Sequence, residues 1–183
     1  MTLTVFCGSR FGDNDIYKNE AVKFGEFIAK HNHTLVYGGG SVGLMGALSS
    51  SAYKNGAEVI GIIPRALQEL EKSSYEVSKL ILVDSMHERK AIMSRKADIY
   101  VVLPGGIGTL EEFFEVWTWS QLTFHKKRIF VLDINGYYDK LFSFIEDMVN
   151  RGFLKKEHQD LVSIYKNSEE LFLAINIYDK NLT

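Results

Sequence analysis

Along this chain, short apolar runs alternate with longer segments that are apolar on one face only. Leu3-Thr4-Val5-Phe6-Cys7, Thr34-Leu35-Val36-Tyr37, Glu58-Val59-Ile60-Gly61-Ile62-Ile63, Leu80-Ile81-Leu82-Val83, Asp98-Ile99-Tyr100-Val101-Val102-Leu103 and Ile129-Phe130-Val131-Leu132 are rich in β-branched and aromatic residues. Such runs read as inner strands covered on both faces. A last short strand is expected near Leu161-Val162-Ser163-Ile164. Between the runs the spacing turns helical. Tyr17, Ala21, Phe24 and Ile28 share one face of a helix that Asp13, Asn14 or Asp15 can cap. A second helix follows Tyr37 and stops at Asn55-Gly56, and a third spans residues 86–96 behind the cap Asp84-Ser85. A fourth spans residues 109 to about 122. Tyr137, Leu141, Phe142, Ile145, Met148 and Val149 line a fifth, and a last one runs from Asn167 or Ser168 to about Ile177. Residues 65–79 have no clear period and are expected to form a loop or short helix near the site.

Strands alternating with helices imply βαβ units. The fold class is α/β: a Rossmann-like, doubly wound, mainly parallel sheet with helices on both faces, binding ligands at the carboxyl ends of its strands. At 183 residues the chain should form a single nucleotide-binding domain that buries ~70% of its unfolded surface. The net charge of −2 and pI near 6.2 argue against an unspecific grip on nucleic acid, so any phosphate recognition must be local. The single Cys7 excludes an internal disulfide. With no leader-like or membrane-length apolar run before the first strand, a cytoplasmic protein without a membrane partner is expected.

Two glycine turns fall at the carboxyl edge. Gly38-Gly39-Gly40-Ser41-Val42-Gly43 fits G-x-G-x-x-G between a strand and a helix. A dinucleotide also needs an acid at the end of the next strand, yet that strand ends Ile62-Ile63-Pro64-Arg65 and its only acid, Glu58, is at the wrong end. The second turn, Pro104-Gly105-Gly106-Ile107-Gly108, leads into the fourth helix, whose first N–H groups would favour an anion. Two such loops on one edge suggest a mononucleotide cradle, although the first can also be read as close helix-to-strand packing. Neither carries the Walker lysine of a nucleoside triphosphatase. The five histidines show no metal-ligand spacing, and His31 and His33 read as solvated residues at a helix end. The run His125-Lys126-Lys127-Arg128 reads as cations near a helix C-terminus.

The candidate chemistry lies in the third and fourth helices. Glu112 could stabilise an oxocarbenium-like sugar while activating a water. Thr109-Leu110-Glu111-Glu112 is equally a capping box, in which Glu112 only reaches back to the Thr109 N–H. Arg89 offers a planar fork for phosphate or carboxylate and Lys90 a point charge, but a solvated basic helix face would look the same.

Pro104-Gly105-Gly106-Ile107-Gly108-Thr109-Leu110-Glu111-Glu112 fits the signature PGGxGTxxE, and Met86-His87-Glu88-Arg89-Lys90 fits MHxRK. On these motifs, with Cys7-Gly8-Ser9 and the Gly38 to Gly46 loop, the sequence resembles the Lonely Guy (LOG) family of cytokinin riboside 5′-monophosphate phosphoribohydrolases. The resemblance by motif reaches about Leu122. It implies a metal-free, cofactor-free and usually dimeric enzyme that releases a free base and ribose 5-phosphate from a nucleoside monophosphate. It also makes Glu112 the essential carboxylate, with Arg89 holding substrate and orienting Glu112. Gly105, Gly106, Gly108 and Thr109 are then expected on the phosphate, and Gly39, Gly40 and Gly43 in the other loop. Ser9, Arg10 and Met86 are expected beside the nucleotide, and Lys90 as a further substrate contact. Glu111 and Glu115 would hold ribose hydroxyls or a water, and Thr118 would face the pocket.

Base contacts are expected from residues 65–79 and a partner chain. A homodimer is expected because Phe113, Phe114, Val116, Trp117, Trp119 and Leu122 surround much of the fourth helix. Two alternatives remain at this stage. One is a binding module that carries a nucleotide or phosphorylated cofactor without turnover. The other is a pyridoxal decarboxylase, for which no Schiff-base lysine stands out.

Overall fold

The computed structural model describes residues 1–68 and 76–181. Seven strands, β1 (Thr2–Phe6), β2 (Thr34–Tyr37), β3 (Glu58–Pro64), β4 (Lys79–Val83), β5 (Ile99–Val102), β6 (Ile129–Leu132) and β7 (Val162–Tyr165), form one parallel sheet in the order β4-β3-β2-β1-β5-β6-β7. The helices are α1 (Asp15–Lys30), α2 (Gly43–Lys54), α3 (Met86–Lys96), α4 (Ile107–Gln121), α5 (Asp139–Asn150), α6 (Lys156–Gln159) and α7 (Ser168–Lys180). Because β1 lies between β2 and β5, the winding direction reverses there. A doubly wound sheet opens a crevice for ligands at such a reversal.

Strand alternation sorts the core into two layers. Leu3, Val5, Ile99 and Val101 face one way, against Phe24 and Ile28 of α1, Leu48 of α2 and Leu171 and Ile175 of α7. Phe6, Tyr100 and Val102 face the other, against Met93 of α3, Phe113, Val116 and Trp117 of α4 and Ile145 of α5. Both faces are therefore covered, as the unbroken apolar strands require. Asn14 caps α1 through Ile16 N–H, Ser85 caps α3 through Glu88 N–H and Asn167 caps α7 through Glu170 N–H.

Several expectations change. The helix α4 starts at Ile107, two residues before Thr109. Tyr137 precedes α5 instead of lying on its apolar face. The short helix α6 was not legible in the periodicity; its His158 carbonyl accepts from the Trp117 indole N–H at 2.8 Å. Phe113, Val116 and Trp117 are buried within the chain, so only part of α4's apolar girth remains outside. Arg65–Leu67 forms one 3-10 turn, whereas residues 69–75 of the proposed base-contacting stretch lie outside the described residues.

His33 is not solvated. It is 2% exposed, tilted against Phe27 at 5.9 Å. Burial, reinforced by the Met1 ammonium, lowers its pKa below the ordinary 6.5. A depressed histidine favours the fold while both states are neutral. As pH falls through 6.5 the unfolded chain takes up the proton first, and that contribution is lost. The urea midpoint is therefore expected to fall between pH 7.5 and 5.5, and His33→Phe to flatten that fall; an unchanged slope would remove His33 as its source.

Candidate active site

A cleft of about 520 Å³ opens beyond the carboxyl ends of β1 and β5. Its walls are residues 7–13, Tyr17, Leu44 and Met45, Leu67, Met86 and Arg89, residues 104–109, Glu111, Glu112 and Tyr137. The two strand ends are tied together: Gly8 N–H donates to the Pro104 carbonyl at 3.0 Å. The Gly8 carbonyl in turn accepts from Leu44 and Met45 N–H at 3.0 and 3.2 Å. These bonds occupy the second and third amides of α2, so the start of that helix is tied to the Gly8 carbonyl. The β2–α2 glycines also serve close packing. Gly43 has φ +61°, and a Cβ there would lie 2.2 Å from the Ser9 carbonyl carbon. Gly39 abuts Ile62 and Ile63 of β3, Gly40 is buried, and none of the three lines the cleft.

The β5–α4 turn is different. Gly106 is the N-cap of α4 and no side chain caps the helix, so the positive end of its dipole faces the cleft. A Cβ at Gly106 or Gly108 would meet nothing within 4 Å. Packing does not demand glycine at these positions, and its effect is to leave the backbone bare toward the opening. Gly105 is the exception, because a Cβ there would meet Thr109 Oγ1 at 2.1 Å. Since α4 begins at Ile107, Thr109 is not the N-cap and Glu112 sits in the second turn. The capping box expected around Thr109 is displaced.

Glu112 instead faces Arg89. Both are buried, 9% and 5% exposed, with Arg89 Nη2 3.6 Å from Glu112 Oε1. The guanidinium offsets a carboxylate charge that burial alone would make expensive. It fits because of Gly38, where a Cβ would stand 2.0 Å from Arg89 Nη2. Met86 Sδ receives Nη1 at 3.7 Å, while buried Nε has no partner among the described residues. Cys7 lies alongside. Burial, then the Glu112 charge, pushes its pKa up, so the neutral thiol adds no second negative charge beside Glu112.

Lys90 points elsewhere. Its Nζ bonds Glu111 Oε1 at 2.5 Å and Glu115 Oε1 at 2.9 Å. Burial would lower its pKa, but the two carboxylates outweigh this and raise it. Lys90, Glu115 and Thr118 do not line the cleft, whereas Ser9, Arg10, Met86 and Glu111 do. The clasp joins α3 to α4 one residue from Arg89. The basic run after α4 helps: Lys127 Nζ donates to the Ser94 carbonyl at 2.5 Å, and His125 Nε2 bonds the Val116 carbonyl at 2.9 Å. Phe11, Asp13, Tyr17 and Tyr137 also line the cleft without having been anticipated. The helical spacing places Tyr17 and Tyr137 on apolar helix faces, and nothing in the local sequence marks Phe11 or Asp13. Among the described residues no cluster of His, Cys, Asp and Glu suits a metal ion.

A family model described as "Possible lysine decarboxylase" matches residues 45–175. The chain is 42% identical over 174 residues to a probable cytokinin riboside 5′-monophosphate phosphoribohydrolase of Oryza sativa subsp. japonica, covering 95% of this chain and 71% of that protein. It is 40% identical over 176 residues to a cytokinin riboside 5′-monophosphate phosphoribohydrolase of Arabidopsis thaliana, covering 96% and 83%. The chain belongs to the LOG family.

The kinship extends well past Leu122, where the family's motifs in this sequence end. In solved structures the same fold appears in a molybdenum cofactor binding protein from Rippkaea orientalis, with TM-score 0.72 and 23% identity over 100% of this chain and 97% of that one. It also appears in the molybdenum cofactor carrier protein of Chlamydomonas reinhardtii, with TM-score 0.71 and 20% identity over 96% and 95%. At these identities the likeness concerns architecture. The decarboxylase wording of the family model does not fit the site. Among the described residues no lysine lines the cleft, and Lys90 has a raised pKa where a Schiff-base amine needs a lowered one.

Gly38→Ala should displace the Arg89 guanidinium without unfolding the sheet. Calorimetry is expected to show AMP binding weakened at least ~10-fold with an unchanged circular dichroism spectrum. Unchanged affinity would mean that Arg89 does not need the space Gly38 leaves.

Proposed function

We propose that this LOG-family chain is a nucleoside 5′-monophosphate phosphoribohydrolase, hydrolysing the N-glycosidic bond of AMP or an N6-modified AMP such as a cytokinin riboside monophosphate. The reading places it in the cytoplasm, with Cys7 as a reduced, buried thiol. The observation that carries it is the buried Arg89–Glu112 pair, which sits in the same cleft as the uncapped N-terminus of α4. A nucleotide whose phosphate accepts from the amides of residues 106–109 brings its sugar toward Glu112, one helical turn further on. As the C1′–N bond breaks, positive charge develops on the sugar, and the Glu112 carboxylate stabilises it while taking a proton from the attacking water. The bonding pair leaves with the base, which takes up a proton; water's oxygen bonds to C1′, giving free base and ribose 5-phosphate. In this reading Arg89 keeps Glu112 oriented and grips the substrate, and Glu111, which lines the same cleft, holds ribose hydroxyls. The relatives' activity, as named, supports this reading over a carrier without turnover.

Incubating the wild type and Glu112→Gln with AMP and with isopentenyladenosine monophosphate tests it. Free base is expected from the wild type, with kcat at least ~100-fold lower in the variant. Saturable nucleotide binding without base release by the wild type would make the protein a carrier.

A homodimer belongs to the same reading. Phe114, Leu122 and Phe124 are 38, 51 and 75% exposed on and just after α4, in a chain whose Phe113, Val116 and Trp117 are already committed inward. Sedimentation is expected to give twice the 20.8 kDa chain mass; a 20.8 kDa species at micromolar concentration would overturn the dimer.

A further inference from the structure

The connection between β6 and α5 delivers two adjacent tyrosines to the β5–α4 turn. Within Ile134–Gly136, Asn135 (φ 55°) and Gly136 (φ 70°) take left-handed backbone in succession, which these residue types tolerate best. The turn is anchored from the sheet. The fully buried Asp133 carboxylate accepts from Tyr138 N–H at 2.7 Å and from Lys166 Nζ at 2.5 Å. Tyr138 Oη then donates to the Leu103 carbonyl at 2.9 Å, and Tyr137 Oη to the Gly105 carbonyl at 2.7 Å. With Gly8 N–H on Pro104, three successive carbonyls of the turn are each held by a different donor.

Tyr138 is buried, and burial pushes its phenol pKa up, keeping it a donor. Its bond to Leu103 satisfies a buried carbonyl and belongs to the core. Tyr137 is half-exposed on the cleft wall, its ring edge-on to Tyr17 at 5.9 Å. A bond there is not needed to satisfy a buried group, which points to the site.

The physical need is specific. Gly106 has open space where a side chain would be, and although its own carbonyl accepts from Leu110 N–H at 3.1 Å, the preceding Gly105–Gly106 peptide lies ahead of α4, where no helical bond holds the plane that presents the Gly106 N–H. In a trans peptide the carbonyl and the following N–H point in opposite directions, so holding the Gly105 carbonyl also fixes the Gly106 N–H. A free carbonyl could rotate toward the ligand and repel it. We propose that Tyr137 is a positioning residue for anion recognition. Its hydroxyl holds the Gly105–Gly106 peptide in the orientation that binds the phosphate half of substrate and product. The inference rests on the reading of this turn as the phosphate site.

Titration calorimetry of the wild type and Tyr137→Phe with ribose 5-phosphate and with adenine tests it, alongside the thermal midpoint. The variant is expected to lose roughly three- to tenfold in affinity for ribose 5-phosphate, the loss of about one hydrogen bond's influence. Adenine affinity and thermal midpoint should not move. Equal ribose 5-phosphate affinity in the two proteins would overturn the proposal alone. So would parallel losses for both ligands or a lowered midpoint, which would report general damage to the cleft. Failure of the wild type itself to bind ribose 5-phosphate would overturn the phosphate-site reading, and the proposal with it.

Discussion

A guanidinium buried beside a carboxylate is the interaction on which this cleft depends. Arg89 and Glu112 come from different helices, α3 and α4, and each would be a costly buried charge without the other. Removing one partner of such a pair typically costs ~3–5 kcal/mol, because the remaining charge has lost its compensation. The surroundings satisfy that constraint in three ways. Gly38 leaves the space, Met86 receives one edge of the fork, and the Lys90 clasp to Glu111 and Glu115 holds the two helices at a fixed separation. The carboxylate therefore stands in a defined place next to the bare start of α4.

The anion-binding end is arranged on the opposite principle. Donors there are left available, since α4 has no side-chain cap and its turn carries glycines that packing does not require. Acceptors are tied back by Gly8, Tyr137 and Tyr138. At α2 the Gly8 carbonyl takes up the second and third amides, although the two loops look alike as strings of letters. One backbone residue thus distinguishes a helix start that can receive a ligand from one that is already capped by the chain itself.

Thr109 and Glu112 carry two roles in one local pattern. A capping box and a catalytic carboxylate share the same local pattern, and only the position of the helix start separates them. With Gly106 as N-cap, the helix begins two residues early and Glu112 is carried into the second turn, opposite Arg89. The same kind of shift moved Tyr137 from a helix face to the cleft wall. His33, read as solvated, is buried because the α1–β2 turn folds it onto Phe27.

The sequence by itself determined the strands, most of the helices, the parallel doubly wound class and the location of the chemistry at one edge. Those follow from periodicity and glycine punctuation, which are local properties of the chain. It also pointed to Arg89, Glu112 and the Gly105 to Thr109 turn, whose residue types carry their chemistry with them. Only the tertiary structure decided that Lys90 is spent on Glu111 and Glu115, that Gly43 serves close packing against Ser9, and that Tyr137 reaches Gly105. Each of these depends on which segments of chain are brought within a few ångströms of one another. That proximity is set by how β1, β5 and β6 lie side by side in the sheet, and it leaves no trace in the spacing of residues along any one of them.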